Sequence, residues 1–182
     1  MPLTSNPLLI LDVDETLIYA AEIPLDRKAD FVLGRYHVYR RPQLDTFLRA
    51  CQTKFQIAFW SSSTSDYLAG ILHRILTDDL QPDFVWGRER CVRRYDPELQ
   101  EECFVKDLQK VRRLGYELAR VLIVDDTPAK VQRNYGNAIY VSPFYGDAAD
   151  GELSELSEYL VRLAEVADVR RIEKRGWKKR SS

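Results

Sequence analysis

Three short, mostly apolar runs, Leu8–Leu11, Phe55–Phe59 and Val121–Val124, each lead into a cluster of polar side chains: Asp12-Val13-Asp14, Ser61-Ser62-Ser63 and Asp125-Asp126. Such runs are too short for independent helices, and their near-continuous apolar character is that of strands buried on both faces in a helix-covered parallel sheet. Between them, Leu44, Phe47, Leu48 and Cys51 recur at helical spacing, as do Leu68, Ile71, Leu72, Ile75 and Leu76. These segments are predicted as helices packed on the sheet. Asn137–Val141 is predicted as a further strand, and Leu153, Leu156, Tyr159, Leu160 and Leu163 mark a final helix. The alternation predicts an α/β fold around a central parallel sheet, and 182 residues suit one domain.

The ends of these strands carry the chemistry. Side chains at i and i+2 of a strand share a face, so Asp12 and Asp14 leave the sheet together, at the carboxyl end where α/β proteins bind ligands. Two carboxylates this close disfavour joint ionisation unless a positive charge sits between them. Oxygen-only ligands suit Mg²⁺, which is typically held by one or two carboxylates plus a substrate phosphate. The same acids also suit the first turn of a helix. A second acidic pair, Asp125-Asp126, precedes Thr127-Pro128, and Pro128 suits a first helical turn. Ser61, Ser62 and Ser63 add neutral donors, and Lys106 in Phe104-Val105-Lys106-Asp107-Leu108 adds a cation.

In this order the residues resemble the haloacid dehalogenase superfamily of phosphotransferases. They are most similar to its branch of RNA polymerase C-terminal-domain phosphatases and small phosphatases (NLI-interacting-factor-like), whose signature is Asp-x-Asp-Glu-Thr-Leu. The likeness rests on Asp12-Val13-Asp14-Glu15-Thr16-Leu17, Arg41-Pro42-Gln43-Leu44-Asp45-Thr46-Phe47-Leu48, Ser61, Lys106-Asp107-Leu108 and Asp125-Asp126-Thr127-Pro128. Glu15 favours this branch, since many other members of the superfamily carry Gly there.

The resemblance implies a Rossmann-like central sheet flanked by helices and a Mg²⁺-dependent phosphomonoester hydrolase. Asp12 is then the nucleophile that becomes an aspartyl-phosphate. Asp14 is the proton donor and acceptor, its backbone carbonyl reaching the metal. Ser61 donates to a phosphate oxygen and Lys106 compensates charge. Asp126, helped by Asp125, holds Mg²⁺ beside Asp12. Ser61 stands where the branch commonly has threonine, which keeps the hydroxyl. Ser63 suits either substrate contact or the N-cap of the following helix. Phosphorylated protein is the expected substrate. Small metabolites or nucleic-acid ends are the alternative, and a catalytically inactive scaffold of the same fold is the alternative of another class.

Two excursions should govern what enters the cleft. Residues of about 18–40 end in the alternating stretch Arg35-Tyr36-His37-Val38-Tyr39-Arg40, which suits a hairpin flap. Residues of about 86–105 read as an inserted hairpin, with Cys91–Tyr95 and Glu102–Val105 as strands around Asp96-Pro97-Glu98. Arg88 and Tyr67 align with substrate-contacting residues of the branch, and Ser62 is grouped with them. A pocket aromatic of the branch has no counterpart in Ala21-Glu22-Ile23-Pro24.

Composition adds few constraints. A net charge of −1 argues against whole-surface attraction to nucleic acid. No run of about 18 apolar residues suggests a membrane span, and no signal peptide is evident; a cytoplasmic monomer is the expectation. Cys51, Cys91 and Cys103 lack CxxC spacing, although Cys91 and Cys103 could face each other across the inserted hairpin. Residues 1–169 are expected to form one catalytic domain. The basic tail 170–182, which includes Arg170-Arg171 and Trp177-Lys178-Lys179-Arg180, is expected as a loose, solvated terminus or a contact for nucleic-acid phosphate backbones or acidic partners.

Overall fold

A computed structural model describes residues 6–96 and 100–180. Strand β1 (Leu8–Leu11) leads into a three-stranded flap of β2 (Ile18–Ala21), β3 (Phe31–Leu33) and β4 (Tyr36–Arg40), followed by α1 (Leu44–Gln52). The chain continues through β5 (Gln56–Trp60), α2 (Ser65–Ile75), β6 (Val85–Trp86), the inserted hairpin β7 (Val92–Asp96) and β8 (Glu101–Val105), and α3 (Gln109–Arg112). It closes with β9 (Val121–Asp125), a 3-10 segment at Pro128–Asn134, β10 (Ala138–Tyr140) and α4 (Glu152–Ala164).

The central sheet runs β10-β9-β1-β5-β6 and every pairing in it is parallel. The α/β fold read from the sequence is the fold observed. Period-two alternation divides the core in two. Leu9, Leu11, Ile57, Phe59, Leu122 and Val124 face one layer with the apolar stripes of α1, α2 and α4. Leu8, Ile10, Ala58, Trp60, Val121 and Ile123 face the other, against Trp86, Leu108, Val111 and Val131. A register with β1 between β5 and β9 brings Leu11, Phe59 and Val124 level. The polar residues that follow all three therefore emerge at one rim.

Several expectations are corrected. The flap is a three-stranded sheet of order β2-β4-β3, because residues 31–33 add a strand to the expected hairpin. Cys91 precedes β7 and Cys103 lies opposite Arg94, so the two thiols do not face each other, and all three cysteines are free. Pro97 and Glu98 of the expected turn lie outside the described residues. The tail, expected to be loose, folds back through residue 178. Trp177 is only 3% exposed, stacks on Tyr159 of α4 with ring centroids 5.4 Å apart, and donates its indole N–H to the Tyr140 carbonyl at 2.8 Å. The Lys174 ammonium caps the Val169 and Ile172 carbonyls at 2.5 and 2.8 Å. A basic composition hid one large apolar anchor. No helix among the described residues is long and apolar enough to cross a membrane.

Truncating that anchor tests the packing of the tail. Trp177→Ala should cost about 3 kcal/mol, as buried large-to-small changes do, seen as a lower urea midpoint; a loss under about 0.5 kcal/mol would mean that the tail contributes nothing to the fold.

Candidate active site

The Asp12 amide still pairs with the Val124 carbonyl at 3.0 Å, so its carboxylate is held at the very end of the sheet. The chain then turns tightly: Leu17 N–H donates to the Val13 carbonyl at 2.8 Å and Glu15 N–H to the Ile18 carbonyl at 2.8 Å. Glu15 carries this turn at φ 57°, a left-handed conformation that glycine adopts freely and other residues pay about 1 kcal/mol or more to adopt. Thr16 Oγ1 returns to donate to Asp12 Oδ2 at 3.0 Å. Arg41, fully buried, clamps the turn from behind. It donates to the Thr16 carbonyl at 3.0 Å and the Ser142 carbonyl at 2.9 Å, and forks onto both oxygens of Asp150 at 2.8 Å.

Lys106 arrives from the inserted hairpin and is fully buried. Its ammonium donates to Asp12 Oδ1 at 2.5 Å and to Asp125 Oδ2 at 2.6 Å. Burial opposes this charge, but the two carboxylates outweigh it and hold the lysine above its ordinary pKa. Its backbone is fixed as well. The Lys106 amide donates to the Lys130 carbonyl at 2.7 Å, and buried Asn134 donates to the Lys106 carbonyl at 2.6 Å while accepting from Leu108 N–H at 3.1 Å.

Asp12, Asp125 and Asp126 each offer a carboxylate oxygen within 4.8 Å of the others. Their commitments differ. Asp125 accepts from Lys106 and from the Thr127 amide at 2.9 Å, so both its oxygens are engaged. Asp126 accepts from Thr127 Oγ1 through Oδ2 at 3.0 Å, while its Oδ1 is buried without a hydrogen-bond partner. A buried, unbonded carboxylate oxygen is costly, and on a residue grouped with Asp12 and Asp125 it fits a cation ligand. Negative charge is in excess. Burial, followed by Asp14, pushes Glu15 up to about 7, and burial, followed by Asp12, raises Asp126. Lys130 is the second cation here: burial opposes its charge, yet Asp12 and Asp125 hold it above the usual lysine value. An oxygen-lined site of this kind fits Mg²⁺.

The Asp14 side chain takes no part in that acidic group. Ser61 Oγ and Ser63 Oγ donate to its Oδ2 at 3.2 and 2.8 Å, and the Tyr67 hydroxyl donates to Oδ1 at 2.7 Å. Ser63 is therefore no helix cap, and the Tyr67 hydroxyl is engaged with Asp14. Ser62 presents its carbonyl to Arg88 Nε at 2.7 Å, and the Arg88 guanidinium lies over the Phe104 ring at 4.9 Å. An open groove of about 590 Å³ runs there, lined by Thr64, Ser65, Arg88, Cys91, Arg93 and Phe104 among others.

A carboxylate bound by a buried lysine and a threonine thus lies level with a second acidic strand end. Residues 7–170 match the profile of the NLI interacting factor-like phosphatases. The chain belongs to the NLI interacting factor-like phosphatase family. A relative within reach is the human carboxy-terminal domain RNA polymerase II polypeptide A small phosphatase 2, 32% identical over 173 residues, covering 88% of this chain and 58% of that protein. The chain thus spans little more than half the length of that curated relative. Among solved structures, fission yeast RNA polymerase II CTD phosphatase Fcp1 bound to beryllium fluoride superposes with a TM-score of 0.58 at 19% identity, over 88% of this chain and 51% of that one. A haloacid dehalogenase-like hydrolase from Xanthomonas campestris gives 0.57 at 12% identity, over 88% and 97%. Both share the fold.

Sequence reasoning placed Asp12, Lys106, Asp125 and Asp126 in one cluster and missed Asn134, Lys130 and the site-facing role of Arg41. Lys130 follows Asp125 by five positions but sits in a segment with no strong periodicity, and Asn134 acts through backbone groups that no side-chain motif reports. Removing the central cation is informative. Lys106→Met leaves Asp12 and Asp125 buried and unpaired, and should destabilise the fold by about 3–5 kcal/mol in chemical denaturation; an unchanged midpoint would mean that this pair of bonds is not made in solution.

Proposed function

We propose that this chain is a Mg²⁺-dependent phosphomonoester hydrolase that works through an aspartyl-phosphate on Asp12, with phosphorylated protein as its substrate. The observation that carries the reading is the Asp12 carboxylate, gripped on one oxygen by Lys106 and on the other by Thr16, in an acidic group with Asp126, whose Oδ1 is unbonded. The grip orients the nucleophile, and the buried ammonium offsets negative charge as phosphate approaches. Membership of the phosphatase family supports the same reading.

In the first step a lone pair of Asp12 attacks phosphorus, the bond to the substrate oxygen breaks, and Asp14 gives that oxygen a proton. In the second, Asp14 takes a proton from water, whose oxygen attacks the same phosphorus and releases phosphate, restoring Asp12. Asp126 and Asp12 would hold Mg²⁺, with Asp125 chiefly fixing Lys106 and the Asp14 carbonyl as a further ligand. The ion would neutralise charge on the phosphoryl oxygens. Ser61, at 3.2 Å the most distant of the hydroxyls on Asp14, would turn its hydrogen to a phosphate oxygen when substrate binds. The open groove beside Arg88 and Ser62 supports a macromolecular substrate, since a segment extending from the phosphorylated residue has room to lie along it. Residues 1–169 would form the catalytic unit, acting as a monomer.

Two variants test this. Asp12→Asn should lower phosphate release from a phosphoserine peptide by at least about a thousandfold, and a substantial residual rate would refute the nucleophile assignment. Asp126→Asn should raise the Mg²⁺ concentration needed for half-maximal activity by about 10- to 100-fold. Activity insensitive to chelation in the unmodified protein would overturn the metal requirement.

A further inference from the structure

Among the described residues, the hydrogen bonds to the Asp14 carboxylate all come from hydroxyl groups. Tyr67 binds one carboxylate oxygen at 2.7 Å, and Ser63 and Ser61 bind the other at 2.8 and 3.2 Å. The chemistry of these partners matters. An N–H group can only donate, whereas a hydroxyl donates or accepts by rotating its hydrogen, so Tyr67 and Ser63 can stay in contact with Asp14 whether or not it carries a proton. A group that gives up one proton and takes another in each cycle needs partners of that kind.

Tyr67 in turn is tied to the flap. Its ring meets that of Tyr36 on β4 edge to face, with centroids 5.8 Å apart at 76°. The flap approaches α2 closely at this place. A Cβ at Gly70 would lie 3.1 Å from the Leu33 side chain, and the Arg74 guanidinium sits 6.0 Å above the Phe31 ring. Phe31, Leu33 and Tyr36 thus pack along the helix that presents Tyr67, and the Tyr67 ring is wedged between the flap and Asp14. Its hydroxyl points to the proton carrier.

We infer that Tyr67, with Ser63, is a positioning residue that orients Asp14 for proton transfer to the leaving oxygen, and that Tyr36 of the flap fixes the Tyr67 ring in place. This rests on the phosphatase reading above. It also explains why a residue expected to contact substrate has its hydroxyl turned into the protein. The flap and the proton carrier are then joined by two side chains.

The test uses two esters that differ in their need for that proton. An alkoxide such as serine's leaves only when protonated, while 4-nitrophenolate leaves without help. Because kcat/KM covers the steps up to cleavage of the ester, Tyr67→Phe should lower it about tenfold for a phosphoserine peptide and leave it within about twofold for 4-nitrophenyl phosphate. Ser63→Ala should follow the same pattern, and Tyr36→Leu should follow it more weakly, with thermal midpoints showing that each variant is folded. Equal losses on both esters, or no loss on either, would overturn the positioning role. A wild-type chain that hydrolyses neither ester would overturn the phosphatase reading itself and this inference with it, whereas wild-type turnover with equal losses in the variants overturns the inference alone.

Discussion

The site depends on one buried ammonium. Lys106 is inserted between Asp12 and Asp125, at the ends of two neighbouring parallel strands, where without it two carboxylates would face each other in a region of low dielectric. A buried cation is tolerable there because each of its partners is charged and close. Its position follows from the fold: the β1–β9 register brings Asp12 and Asp125 level, and Asn134 with the Lys130 carbonyl secures the backbone that delivers Lys106. Loss of any of these contacts would expose the same electrostatic conflict.

The two acidic residues of the first motif are kept apart by their partners. Asp12 accepts from an ammonium and a threonine, while Asp14, two residues on, accepts from hydroxyls. Their environments differ accordingly: one carboxylate is fixed between a buried ammonium and a threonine hydroxyl, and the other lies among hydroxyls that can donate or accept. The sharp turn at Glu15 makes the division possible by swinging the chain out of the sheet directly after Asp14.

Support for this arrangement reaches far from the cleft. The Thr16 carbonyl rests on Arg41, which is bound to Asp150 and the Ser142 carbonyl. Glu152 accepts from the Ser142 amide at 2.9 Å and pairs with Lys178 of the tail. A continuous polar chain therefore joins the C-terminal segment to the residue that holds Asp12. The tail lies beyond the part of the chain that matches the family, yet Trp177 and Lys178 are built into the same framework as the site.

Much of the molecule was legible in the chain itself. Short apolar runs ending in acids determined a parallel sheet, because only strands covered on both faces need that pattern, and helical spacing at Leu44–Cys51 and Leu68–Ile75 determined which faces of α1 and α2 are buried. Asp12 stood out by its strand-end position beside Asp14, whereas Lys106 and Asp126 could be named because the order of the motifs resembles a known phosphatase family. Tertiary structure alone decided the rest. That Tyr67 binds Asp14, that Asn134 anchors Lys106, that Asp125 serves the lysine while Asp126 keeps an open oxygen, and that Trp177 docks under α4 are matters of which groups meet across the fold. A side chain's type states what bonds it is able to make, but its partner is settled by distance, and distances between residues far apart in sequence exist only once the sheet has brought its strand ends together.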